Sequence, residues 1–283
     1  MRWTPGGKSR DVIDRRGQGA GGFGMRGAAP IGLGGLAVLV ILTLVTGQDF
    51  LSNVDPTGGP AAVGDAEAPP AATTPEEERL VQFVSFVLDD AQETWAQLLG
   101  SRYDRTKLVL FRDATSSACG FAQSATGPFY CPGDRQVYID LGFYEELDRR
   151  FKAGGDFAQA YVLAHEVGHH VQTIVGTEPQ VRQAQRSDPS GRNALSVRLE
   201  LQADCYAGVW GHSAAGRGRL STGDVEEGLN AAAAIGDDRM QRMGGGRISP
   251  ESFTHGSSAD RVAWFRRGLE SGDPKACDTF SDR

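Results

Sequence analysis

The order of elements along this sequence predicts an α+β fold, mainly helical around a small sheet. A long amphipathic helix comes first, a group of short extended segments follows, and most of the remainder reads as helices. Such a chain segregates its helices from its strands, unlike the strict alternation of a doubly wound fold.

The first helix opens at Thr74-Pro75-Glu76-Glu77, with Thr at the N-cap, Pro at the first helical position and Glu at the third, a capping box. Leu80, Phe83, Val84, Val87, Leu88, Ala91, Trp95 and Leu98 then recur at helical spacing and predict a core-facing stripe. Residues 107–112 (KLVLFR) read as a strand. Residues 118–123 and 136–140 are further extended segments, with Pro132-Gly133-Asp134 as a turn between them. Residues 142–151 predict a short helix or turn. Asp156 and Gln159 predict a second capping box, opening a helix that Gly176 stops. A polar loop is expected over 177–191. Three helices then follow, over about 193–212, 221–236 and 257–272, the last with Asp260 at its third position.

The 283 residues suffice for one sizeable domain with appendages. The net charge of −7 is unevenly placed. Residues 1–26 carry Arg2, Lys8, Arg10, Arg15, Arg16 and Arg26 against only Asp11 and Asp14, so the rest is clearly acidic. An acidic domain lacks the basic footprint that a phosphate backbone requires, and no nucleic-acid partner is expected.

Residues 27–46 (GAAPIGLGGLAVLVILTLVT) hold no charge and have the length of a hydrocarbon core in helical form. With the basic flank before them, they predict a single transmembrane helix over 27–47 and a basic cytoplasmic tail over 1–26. A Gly-, Pro- and Ala-rich flexible linker then spans 48–73, and a folded domain over 74–283 lies outside the cytoplasm. The rival is a cleaved signal peptide, against which stand the long basic region and the lack of a clear A-x-A site.

The four cysteines, Cys119, Cys131, Cys205 and Cys277, all fall in the outward part, where disulfides persist. Three pairings are open. A local Cys119–Cys131 bridge would leave Cys205–Cys277 to tie the C-terminus to a core helix. Their spacing does not match a cysteine zinc site.

The chemistry centres on His165-Glu166-Val167-Gly168-His169, an H-E-x-x-H motif within a helical stretch. Residues four apart share a helix face, so the two imidazoles can hold one Zn²⁺ while Glu166 serves as general base toward water. A catalytic zinc takes three protein ligands and keeps one position open. The best third ligand is Glu200, in Arg198-Leu199-Glu200-Leu201-Gln202-Ala203-Asp204; the bland reading makes it a solvated partner of Arg198 or Arg192. Asp204, one turn on, can accept the far N–H of a ligating histidine and fix its tautomer. His170 points away from His169, and His212 lies at a helix end; neither is expected to bind metal.

AYVLAHEVGHHVQ followed by RLELQADCYAGVW, together with CGFAQSATGPFYCP and ESFTHGSSADR, resembles a family of bacterial, membrane-anchored neutral zinc metallopeptidases. It is more distantly similar to gluzincin peptidases, which carry H-E-x-x-H followed by E-x-x-x-D. The resemblance runs from the basic N-terminus through the apolar stretch and across residues 74–280. It implies a zincin-like fold, one Zn²⁺ ion, and hydrolysis of a peptide or protein substrate. It also implies an edge strand above the metal that pairs with substrate, expected at Ala118, Cys119, Gly120 and Phe121. The alternative there is an ordinary hairpin closed by Cys119 and Cys131. His255, six residues before Arg261, matches a His and Arg at similar spacing in the distant relatives and is expected to hydrogen-bond the oxyanion. The competing function is a catalytically silent zinc-binding scaffold of the cell envelope, disfavoured by Glu166, because a structural zinc is normally closed by four protein ligands.

Overall fold

The computed structural model describes residues 1–17, 73–123, 127–245 and 247–281. The expected membrane span at 27–47 and, apart from Thr73, the linker lie outside the described residues. Among the described residues, no helix is long and apolar enough to cross a membrane.

Helix α1 (Pro75–Leu99) begins where its capping box predicts, with the Thr74 hydroxyl accepting the Glu77 N–H at 3.1 Å. Its apolar stripe buries Val84, Val87, Leu88, Ala91 and Trp95. The main sheet has the order β1-β2-β6-β5, formed by Val12–Asp14, Lys107–Phe111, Gln136–Asp140 and Phe129–Cys131. Strands β1, β2 and β6 run parallel, and β5 pairs antiparallel with β6 as an edge. Leu108, Leu110, Val137 and Ile139 point into the principal core, while Val109, Phe111 and Tyr138 form a smaller cluster on the opposite face. This is the two-faced burial that strand periodicity produces. A separate antiparallel hairpin joins β3 (Ala114–Ser117) to β4 (Gly120–Gln123).

Among the described residues, six further helices follow the short α2 (Gly142–Arg149): α3 (Asp156–Val175), α4 (Thr177–Ser187), α5 (Arg192–Gly216), α6 (Asp224–Ala234), α7 (Asp237–Met243) and α8 (Ser258–Ser271). Helix α3 is central and packs on α1, α5 and α6. Two glycines set the close crossings. A Cβ on Gly168 of α3 would lie 3.0 Å from the Ala203 carbonyl oxygen of α5, and one on Gly268 of α8 would lie 1.9 Å from the Cys205 carbonyl oxygen. Both disulfides form in the local arrangement, Cys119–Cys131 and Cys205–Cys277.

Three expectations need correction. The stretch expected as a polar loop is helix α4, because its Gln, Arg and Ala residues are competent helix formers and Glu178 pairs with Arg182 one turn on. The second capping box does not form. Gly155 precedes α3, and the free N–H of Phe157 is taken by Glu227 of α6 at 3.1 Å, leaving Asp156 to pair with the Met1 amino group at 2.6 Å.

The third concerns the amino-terminal residues. The described part of the expected tail is not set apart from the domain: residues 1–17 belong to the same folded unit as 73–281. Val12, Ile13 and Asp14 pair with Leu108, Val109 and Leu110. Trp3 packs on Phe83 of α1. The buried Arg16 guanidinium bonds Asp14 and reaches Glu77 and Glu78. The basic residues counted as a cytoplasmic signal are thus partly consumed by ion pairs within the fold.

Candidate metal centre

His165 and His169 sit one turn apart on α3, and Glu200 faces them from α5. The Gly168–Ala203 crossing permits this approach, since a side chain at 168 would push the helices apart. The His165 and His169 Nε2 atoms lie 3.2 Å apart. Glu200 Oε2 is 3.2 Å from His165 Nε2, and Glu200 Oε1 is 3.4 Å from His169 Nε2. Three donors at roughly 2.0–2.1 Å from a common centre, at tetrahedral angles, are spaced by about 3.3 Å. The spacing of the two imidazoles, and of each imidazole to the nearer Glu200 oxygen, is thus of the size that zinc donors require, although the two carboxylate contacts run to different oxygens.

Asp204 lies behind His165. Its Oδ1 accepts the His165 Nδ1–H at 2.8 Å, which leaves the Nε2 lone pair toward the other donors. Asp204 is fully buried and also takes the Tyr161 hydroxyl and the guanidinium of Arg261. Without metal, burial disfavours the His165 cation, but the carboxylates of Asp204 and Glu200 outweigh burial and lift its pKa to about 10. His169 is raised likewise, burial being overcome by Glu200. Burial also opposes the charge on Glu200, yet the two imidazoles bring it well below the usual carboxylate range. The site thus favours a concentrated positive charge, which protons supply when no ion does.

The donors open on a cleft of about 670 Å³ whose walls include Glu166, Phe129, Tyr130 and His255. Glu166 is nine-tenths buried at the cleft and makes no hydrogen bond among the described residues. His255 lies on the loop before α8. Asp237 fixes that loop: its Oδ2 accepts the N–H groups of Thr254, His255 and Gly256 at 2.7, 2.6 and 3.0 Å, and its Oδ1 meets His255 Nδ1 at 3.2 Å. This bond raises the His255 pKa against the opposing effect of burial.

The structure therefore brings together His165, Glu166, His169, Glu200, Asp204 and His255. It does not bring Ala118, Cys119, Gly120 and Phe121 to the cleft. Ala118 and Cys119 form the turn between β3 and β4, and Gly120 and Phe121 pair within that hairpin, with Phe121 64% exposed. The Ala118 N–H is taken by Asp134 and the Cys119 N–H by the Ser117 hydroxyl, Gly120 and Phe121 pair with Ser117 and Ser116, and the disulfide to Cys131 ties the turn to β5. The sheet edge that lines the cleft is β5, through Phe129 and Tyr130. His170 is buried between Tyr130 and the Asp104 carbonyl, and burial lowers its pKa; His212 bonds the Leu269 carbonyl.

Sequence reasoning missed Tyr161, Gln172 and Asp237. Tyr161 and Gln172 carried a usable signal, standing four residues before His165 and three after His169 on the same helix. Asp237 reaches its loop only through tertiary packing and carried none. Among the described residues a second acidic cluster, Asp156, Asp224 and Glu227, also has ligand-like spacing, but the Met1 amino group bonds Asp156 and Asp224 there.

Comparison with known proteins gives a concordant result. The family model described as "Putative neutral zinc metallopeptidase" matches residues 1–280. The chain is 49% identical to uncharacterized protein YpfJ of Escherichia coli strain K12 over 99% of both chains. It is 45% identical to uncharacterized protein Rv2575 of Mycobacterium tuberculosis strain H37Rv over 66% of each. No solved structure matches.

Proposed function

Because the chain belongs to the family described as putative neutral zinc metallopeptidases, we propose that it is a zinc-dependent endopeptidase whose ion is held by His165, His169 and Glu200. The observation that carries this is the convergence of the three side chains at the cleft wall, with the imidazole Nε2 atoms 3.2 Å apart and the nearer Glu200 oxygen 3.2 Å from His165 and 3.4 Å from His169. A bound zinc ion supplies Lewis acidity, lowering the pKa of water toward neutrality and polarising a carbonyl.

The remaining steps belong to the chain's own side chains. Glu166, at the cleft and with its carboxylate in no hydrogen bond among the described residues, takes the proton of the attacking water and returns it to the leaving amine. Asp204 holds the His165 ring in place and is itself held by Arg261. An extended peptide lies beside β5, the antiparallel edge strand at the cleft wall, and is kept in register by main-chain hydrogen bonds. His255, aimed by Asp237, donates to the oxyanion that forms on the peptide carbonyl, a contribution of about 3 kcal/mol. The two disulfides support a location outside the reducing cytoplasm.

The test uses the purified full chain with casein or a peptide library, with and without chelator, beside the Glu166→Gln variant. Chelator-sensitive cleavage that the variant loses while keeping its zinc is the expected result. A zinc-loaded wild-type protein that cleaves nothing would instead support the scaffold reading, and a variant as fast as wild type removes Glu166 as base.

A further inference from the structure

Where the His165 Nδ1 meets the carboxylate of Asp204, the His169 Nδ1 lies 2.8 Å from the amide oxygen Oε1 of Gln172. The orientation of that amide is dictated from behind. Gln172 Nε2 faces the Leu199 carbonyl at 2.7 Å and Gln202 Oε1 at 3.1 Å. Gln202 Nε2 faces the Cys277 carbonyl at 3.0 Å. Main-chain carbonyls only accept, so both amides must turn their nitrogens toward them. Gln172 then presents its oxygen to His169, Nδ1 carries the proton, and Nε2 keeps its lone pair for the ion. Gln172 is fully buried and Gln202 nearly so, which shields the chain of bonds from water. Leu199 immediately precedes Glu200, and Cys277 is tied to α5 through Cys205.

We propose that Gln172 and Gln202 form a positioning relay that fixes the metal-binding tautomer of His169 from the carbonyls of Leu199 and Cys277. The proposal rests on the zinc reading of the site. It is tested by chelator-competition measurement of zinc affinity on the full-length chain, with melting of the metal-free protein alongside. Gln172→Met removes the acceptor at similar volume and should weaken zinc by about 10- to 100-fold, the range seen when the outer partner of a ligating histidine is lost. Gln202→Met, one bond further out, should weaken it less but measurably. Affinity within twofold of wild type in a folded Gln172→Met protein overturns the relay. If that variant does not fold, unchanged affinity in Gln202→Met overturns it. Failure of the wild type itself to bind zinc sinks the zinc reading, a different result.

A second inference comes independently from the amino-terminal strand. Strand β1 is bonded into the sheet, with Arg15 N–H on the Leu110 carbonyl at 2.7 Å and Leu108 N–H on the Asp11 carbonyl at 2.9 Å. Asp11 is buried and pairs with Arg105 and Lys107. Hydrogen-bonded strands cannot stand on opposite sides of a bilayer. We infer that residues 1–17 and 73–281 occupy one compartment, in place of the expected cytoplasmic tail. Cysteines introduced at Lys8 and at Gln97, both exposed, report the two parts in the full-length protein. Intact cells with a permeabilised outer layer are treated with a membrane-impermeant maleimide before and after lysis. The same labelling pattern at both positions is expected. Labelling of one before lysis and of the other only afterwards overturns the inference.

Discussion

Arg261 grips Asp204 with two donors, Nε at 2.8 Å and Nη2 at 2.9 Å, both side chains being buried. This bidentate pair stands directly behind a histidine of the proposed metal site. Burial works against both charges, and each is sustained by the other: the guanidinium is raised further and the carboxyl is brought down.

Breaking that pair from one side should be costly. Arg261→Met strips the buried Asp204 of its guanidinium and leaves only His165 and Tyr161, among the described residues, to bond it, with an expected loss of about 3 kcal/mol of folding stability. The double variant Arg261→Met/Asp204→Asn should recover part of it. Urea unfolding of Arg261→Met, Asp204→Asn and the double variant checks this, and additive single effects would show that the two residues are not coupled.

Removal of the third donor separates metal binding from folding. Glu200→Ala should be purified with little zinc while retaining the wild-type circular dichroism spectrum. Metal analysis decides the matter: a variant that holds one full equivalent removes Glu200 from the ligand set.

The metal-free protein should show a characteristic pH dependence. The His165 pKa, about 10 when folded, exceeds its unfolded value of about 6.5. Its stabilisation is therefore complete below about pH 6.5 and is lost as pH rises through 10. Zinc replaces that proton, so binding should tighten over the same range. Chemical unfolding in chelator from pH 6 to 10, repeated with zinc, tests both. Stability that climbs with pH in the chelated protein would contradict the assignment.

Helix spacing should control the site from a distance. A Cβ at position 168 meets the Ala203 oxygen at 3.0 Å, its Cα at 3.2 Å and the Tyr206 Cβ at 3.3 Å. Gly168→Val should cost about 1–3 kcal/mol by overpacking and should also weaken zinc, because it pushes Glu200 away from the imidazoles. Thermal melting together with chelator competition measures the two effects; normal affinity in a destabilised variant would mean that the donors readjust freely.

The helices of the site were legible because their signals are local. Thr74 and Ser257 cap α1 and α8 as their sequence context predicts, each hydroxyl accepting an N–H at 3.1 Å. His165, His169, Glu200 and Asp204 stand four residues apart in pairs, so helical periodicity alone aligned them. Of the three open cysteine pairings, the structure forms the one that contains the local Cys119–Cys131 bridge. Features that depend on tertiary choice were not legible. Ala118 to Phe121 and Phe129 to Cys131 are both short extended segments, and only packing decides which joins the main sheet at the cleft. Asp156 has good capping chemistry, yet the carboxylate of Glu227, from a distant helix, satisfies the helix N-terminus instead. The basic residues near the amino terminus resembled a topogenic signal because nothing local reveals that Arg16 finds Glu77 and Glu78.

Strand β1 also sets an order of assembly. Strands β2, β5 and β6 are close in sequence and can pair soon after synthesis, whereas β1 emerges first and must wait for β2. Until then, the outer edge of β2 stays open to pairing with other chains. Docking of this earlier-made strand is thus the late event that closes the sheet, so deletion of residues 1–16 should expose an aggregation-prone border while leaving every donor of the metal cluster in the polypeptide.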